Sequence, residues 1–174
     1  RGVIVVWEAL VCLTSRTGDL AMPSTTHPPE RHDVVVVGAR CAGAATALLL
    51  ARAGHDVVLV DRTTFPADTL STHAIARSGV VQLRRWGLLE QVLASGAPPL
   101  RDIAFHDADG VVTRRLGARH GVDALVAPRR TVLDALLVEA ARAAGADVRT
   151  GVTVEGVTRT GDGRVSGVLA RSGD

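Results

Sequence analysis

Apolar positions along the chain fall into blocks whose spacing changes from one stretch to the next. Residues 34–37 are four consecutive valines, the pattern of a short strand in a parallel sheet covered on both faces. A glycine-bearing turn follows at 38–43. Residues 44–53 are nearly all Ala and Leu and read as a helix, with Gly54 in the helix-stop position. Residues 57–60 (VVLV) repeat the buried-strand pattern. Strand, turn, helix and strand in this order make a βαβ unit, for which a right-handed crossover is expected. A Thr-rich loop at 62–72 comes next. Residues 73–95 read as helical with a break near Gly87, and 103–116 as two strands around a turn at 107–110. Residues 131–144 carry a strong helix pattern stopped by Gly145. The stretches 148–157 and 164–169 read as strands around Gly161-Asp162-Gly163, a hairpin signal.

The first 30 residues do not share this organisation. The chain begins at Arg1, its one methionine is Met22, and 23–31 (PSTTHPPER) is polar and Pro-rich. The expectation is therefore a leader at 1–30, disordered or foreign to the fold, with Met22 as the natural start and a domain at 31–174. The apolar run at 3–13 contains Glu8 and is too short to span a membrane. It has the length of a signal-peptide core, but no A-x-A site follows.

Composition narrows the function classes. A chain of 174 residues, 47% apolar and 22% charged, fits one globular domain. All 20 basic residues are Arg, and Tyr is absent, which reads as GC-rich codon usage. The net charge is +2, with the arginines scattered among acids. No basic stripe with interleaved aromatics points to nucleic acid. Cys12 and Cys41 have neither metal-ligand nor disulfide-framework spacing, so no metal site and a reducing, cytoplasmic setting are expected.

The chemistry gathers at Gly38-Ala39-Arg40-Cys41-Ala42-Gly43. This matches the dinucleotide fingerprint G-x-G-x-x-G except at the middle position. The first Gly allows the tight turn, and the last lets the helix sit close to the strand. The helix N-terminus offers N–H groups and a positive dipole end to a pyrophosphate. Arg40 stands where the middle Gly would let backbone approach phosphate. Its side chain either points to solvent or places a guanidinium on phosphate. Asp61 ends the second strand about 20 residues on, where an acid accepts hydrogen bonds from ribose hydroxyls. As a strand-end carboxylate it is expected to add little to the core. The competing reading is a glycine turn that binds nothing. Cys41 reads as a small loop filler, and Trp86-Gly87 as core packing and a helix end.

The run VVVVGARCAGAATALLLARAGHDVVLVDR, then FPADTLSTHAI, LRRWGLLEQV and APRRTVLDALLVEAARAAGADVRTGVTV, resembles the FAD-dependent oxidoreductases. Within them it is most similar to the group of the aromatic-ring hydroxylases (flavin monooxygenases) and geranylgeranyl-reductase-like enzymes. The resemblance covers residues 33–170 and implies an incomplete α/β, Rossmann-like FAD-binding domain: a parallel sheet opened by βαβ, plus a β-hairpin region. An excursion toward a substrate domain would start near 99–127. It further implies that Gly38, Ala39, Arg40, Ala42, Gly43 and Asp61 hold the ADP half of FAD, with Arg62 near the adenosine. Arg130, or its neighbour Arg129, would reach the pyrophosphate or ribityl chain. Val154 would meet adenine through its backbone, with a plain core valine as the other reading. Thr72, with Ser71 and His73, would lie near the flavin, with His73 otherwise capping the next helix. NAD(P)H as co-substrate and a small organic substrate follow from the same resemblance; catalytic residues, substrate and oligomeric state do not.

Two other readings stay open. An NAD(P)-dependent dehydrogenase shares the first βαβ unit but would continue in regular βα alternation. A non-catalytic remnant fits the lack of the family's later Gly-Asp motif, which holds the ribityl chain.

Overall fold

The computed structural model describes residues 4–14, 29–71 and 74–172, the first stretch by its backbone only. In chain order the elements are β1 (Ile4–Thr14), β2 (Glu30–Val37), α1 (Cys41–Arg52), β3 (Val57–Asp61), α2 (Arg77–Trp86), α3 (Leu89–Ala94) and β4 (Pro99–Leu100). There follow β5 (Asp102–Asp107), β6 (Gly110–Arg115), β7 (Leu125–Val126), α4 (Arg130–Ala143), β8 (Asp147–Thr150), β9 (Val152–Arg159) and β10 (Val165–Ser172). The chain forms two compact units, Arg1–Ala67 with Leu137–Asp174, and Asp68–Leu136.

The first unit is built on a sheet of order β8-β3-β2-β1-β10-β9. β2 runs parallel to β3, with Val34 opposite Val57 and Val37 opposite Val60. β3 runs parallel to β8, with Asp61 opposite Thr150. The valine runs are covered on both faces, as their lack of alternation predicts. One face carries α1, which packs on β2 and β3. Its Ala44, Ala47 and Leu48 are fully buried. On the other face Val35, Val58 and Val60 pack with Val152, Val168 and Ala170 of the β9–β10 hairpin. A fully buried valine contributes about 1.5 kcal/mol or more, so this double layer anchors the strand ends that carry the glycine turn.

Two features of this unit depart from the sequence pattern. Residues 148–157, expected as one strand, are split at Gly151, which has a φ of +71°. β8 then joins β3, whereas β9 pairs antiparallel with β10. The second departure lies in the stretch expected to be a leader. Ile4–Thr14 is a strand, antiparallel to β2 with Ile4 opposite Val37, and parallel to β10 with Leu10 opposite Gly167. Its backbone groups complete the hydrogen bonding of both neighbours, a pairing between residues distant in sequence that local composition does not reveal.

The second unit holds α2, α3, the β4–β7 pair and the β5–β6 ribbon. The expected helix break falls at Gly87, which ends α2 in the left-handed conformation. In the ribbon Asp102 faces Arg115 and Asp107 faces Gly110. Arg77 and Arg84 of α2 donate to the carbonyls of Gly117 and Gly121, each at 2.8 Å, and so fix the segment after β6.

Candidate functional site

Two glycines shape the turn between β2 and α1, for different reasons. Gly38 has φ +100°, a region that side chains rarely adopt, and its N–H donates to the Val60 carbonyl at 2.8 Å. Gly43 lies so close to the turn that a Cβ would stand 1.7 Å from the Gly38 carbonyl oxygen. Only a residue without a side chain lets α1 start there. Position 40 carries neither demand, since its φ of −75° and ψ of −177° are ordinary extended backbone. The first N–H groups of any helix lack intrahelical acceptors. α1 has no acidic residue in its first turn and no side-chain cap hydrogen bond, a setting that favours an anion at its positive end.

Asp61 is buried at the end of β3 and bridges two backbone segments. Its Oδ2 accepts from the Ala39 N–H at 2.6 Å, and its Oδ1 from the Thr63 N–H at 2.7 Å. The carboxylate therefore pins the glycine turn to the segment after β3, and its expected idleness in the fold is corrected: burial and two short charge-assisted bonds make it structural.

These residues surround one cavity of about 300 Å³. Gly38, Arg40, Ala42 and Gly43 line it on the turn side, and Asp61, Arg62 and Thr63 beyond β3. Val152, Thr153 and Val154 of β9 form a further wall. The lining combines the end of a helix, two arginines and one carboxylate, which suits an anionic ligand carrying hydroxyls.

The family described as FAD binding domain matches residues 31–174. The chain belongs to that family. Among relatives of this FAD binding domain, a menaquinone reductase of Mycolicibacterium smegmatis is 34% identical over 144 residues, covering 83% of the chain and 35% of that protein. A kynurenine 3-monooxygenase of Salinispora arenicola is 35% identical over 121 residues, covering 66% of the chain and 26% of that protein. The myxobacterial chondrochloren halogenase CndH, an FAD-dependent halogenase, shares the fold with a TM-score of 0.67 at 21% identity, over 93% of the chain and 33% of the halogenase chain. The chain spans about a third of the length of the curated relatives it matches.

The residues of the FAD binding domain fit an FAD end. Gly43 lets the helix start against the Gly38 carbonyl, the first turn of the helix holds no acid, and a fixed carboxylate stands beside it. Of the residues singled out in the sequence, Gly38, Arg40, Ala42, Gly43, Asp61, Arg62 and Val154 come together on the cavity. Ala39 is buried behind them, bonded to Asp61. Thr63, Val152 and Thr153 were missed, though each lies within two residues of a position that was singled out. Arg40 is turned neither simply to solvent nor to the helix end; it lies over Phe65, with its Cζ 5.3 Å from the ring centroid. Arg129 and Arg130 belong to the second unit. The Arg130 guanidinium grips the fully buried Asp134 of its own helix through Nε to Oδ1 at 3.0 Å and Nη2 to Oδ2 at 3.1 Å. Thr72 and His73 lie outside the described residues. Among the described residues no group of three or more His, Cys, Asp or Glu is placed to hold a metal ion. No described helix is long and apolar enough to cross a membrane.

Proposed function

We propose that this FAD binding domain serves a flavin-dependent oxidoreductase, in which it holds the ADP half of FAD. The observation that carries the reading is the approach of Gly43 to the Gly38 carbonyl, which opens the α1 terminus onto a cavity bordered by Asp61. The backbone of residues 38–43 takes the pyrophosphate. Asp61 keeps lone pairs beyond its two backbone bonds, and these accept from ribose hydroxyls. Arg62 stands at the adenosine, and the Val154 backbone borders adenine. Arg130, oriented by Asp134, and its neighbour Arg129 are assigned to the pyrophosphate or ribityl chain.

When bound, FAD supplies the electron transfer; the protein binds, orients and shields it. The similarity to a menaquinone reductase and to a kynurenine 3-monooxygenase supports a parent that hydroxylates, or reduces a double bond of, a small organic substrate; NAD(P)H is the co-substrate in this reading. A cytoplasmic setting goes with that chemistry.

The test is to purify the longer natural protein and identify what it releases on denaturation. The expected result is a yellow protein that releases FAD. Bound NAD with no flavin would sink the proposal in favour of a dehydrogenase.

A further inference from the structure

Arg40 occupies the middle position of the glycine motif, where the backbone accepts any residue. Its guanidinium engages two residues of one segment, 62–67. Cζ lies 5.3 Å from the Phe65 ring centroid, and Nη1 donates to the Ala67 carbonyl at 3.3 Å. Arg40 and Phe65 are both half-buried, where a cation over a ring face is less screened than at the surface. Arg62 and Thr63 of the same segment line the cavity. Asp61 ties that segment to the turn at its near end, through Thr63 and Ala39. Arg40 ties it at its far end.

We propose that Arg40 is a positioning residue for the cofactor, resting on the reading of this cavity as the FAD site. Through Phe65 and Ala67 it holds residues 62–67 against the glycine turn, so that this wall of the cavity is formed before FAD arrives. Less of the chain then has to be ordered on binding, which strengthens it. A glycine at 40 removes both of these contacts while leaving the Asp61 bonds in place.

Arg62 is exposed at the head of the segment, so tryptic cleavage of the Arg62–Thr63 bond in the flavin-free chain reports how often the segment opens. The variants are Arg40→Gly, Phe65→Leu and Phe65→Tyr, with cut sites mapped by mass. Cleavage at this bond is expected to rise about tenfold in Arg40→Gly and in Phe65→Leu, from the loss of a cation–ring contact and, for Arg40, a hydrogen bond. Phe65→Tyr keeps the ring face and should cut at the wild-type rate. Unchanged cleavage in Arg40→Gly and Phe65→Leu overturns the proposal. FAD titration at low and high salt is the second arm. Both variants should weaken binding while keeping the wild-type salt dependence. A loss confined to Arg40→Gly, with a shallower salt dependence, would make the guanidinium a phosphate ligand and also overturn it. A longer natural protein that takes up no FAD would instead remove the cofactor assignment, and the cleavage arm alone then decides whether Arg40 holds the segment.

Discussion

Asp61→Ala tests whether the carboxylate builds the turn or merely waits for a ligand. Its two oxygens accept backbone N–H groups at 2.6 and 2.7 Å, both bonds charge-assisted. Truncation leaves the N–H of buried Ala39 without its partner, and an unsatisfied buried donor costs about 1–3 kcal/mol. Thr63 is only half-buried, so water replaces part of its lost bond. The sum is about 3 kcal/mol. In a domain of this size 1 kcal/mol moves Tm by about 2–4 °C, so Asp61→Ala should melt about 6–12 °C below wild type. Asp61→Asn keeps one accepting oxygen but turns an amide donor toward the other N–H, and should fall between the two. Thermal melts followed by circular dichroism, with urea unfolding to show a shifted midpoint at unchanged slope, give the measurement. If Asp61→Ala melts within about 1 °C of wild type, the bridging role is wrong, because no arrangement of these bonds makes their joint loss that small. If the variant is destabilised as expected yet binds FAD with wild-type affinity, the turn is structural and the ribose assignment fails.

Gly43→Ala should lower both stability and FAD affinity, because the new Cβ meets the Gly38 carbonyl oxygen at 1.7 Å and no side-chain rotation relieves a backbone clash. Gly161→Ala, where nothing lies within 4 Å, is the matched control and should melt like wild type. Glu30 is held below the ordinary glutamate value of 4.5, chiefly by its hydrogen bond from Arg149 at 2.5 Å. A carboxylate with a depressed folded-state pKa stabilises above its unfolded value and loses that contribution as pH falls through the folded one. Urea midpoints should therefore drop on acidification below about pH 4.5, and Glu30→Gln should flatten part of that drop; an identical acid profile in the variant would refute the pairing.

What the sequence made legible was what is written locally. The unbroken valine runs, the helix stops at Gly54, Gly87 and Gly145 and the turn at 107–110 each depend on neighbours within one element. They reappear as β2, β3, the ends of α1, α2 and α4, and the β5–β6 ribbon. Gly151 was hidden because valines and threonines continue on both sides of it, so only its positive φ marks the passage from β8 to β9. β1 was hidden because its partners, β2 and β10, lie in the sheet rather than in the adjacent sequence. Asp61 was recognised from its spacing, yet its bond to Ala39 spans 22 residues and could not be read from a strand-end acid.

Position 40 carries this lesson furthest. Counted as letters, a fingerprint lacking its middle glycine is a weakened one. Taken physically, the three glycines answer different demands, and here two of them are separately enforced, by φ at 38 and by a 1.7 Å approach at 43. The remaining position has a backbone open to any residue, so a side chain there costs the turn nothing and gains contacts with the neighbouring segment. Which contacts it gains depends on Phe65 and Ala67, 25 and 27 residues away. The departure from the motif is thus better judged by what surrounds Arg40 than by the letter it replaces. Other chains with a bulky residue at this position should tolerate it only where the backbone stays extended and the segment after the second parallel strand offers that side chain a place to rest.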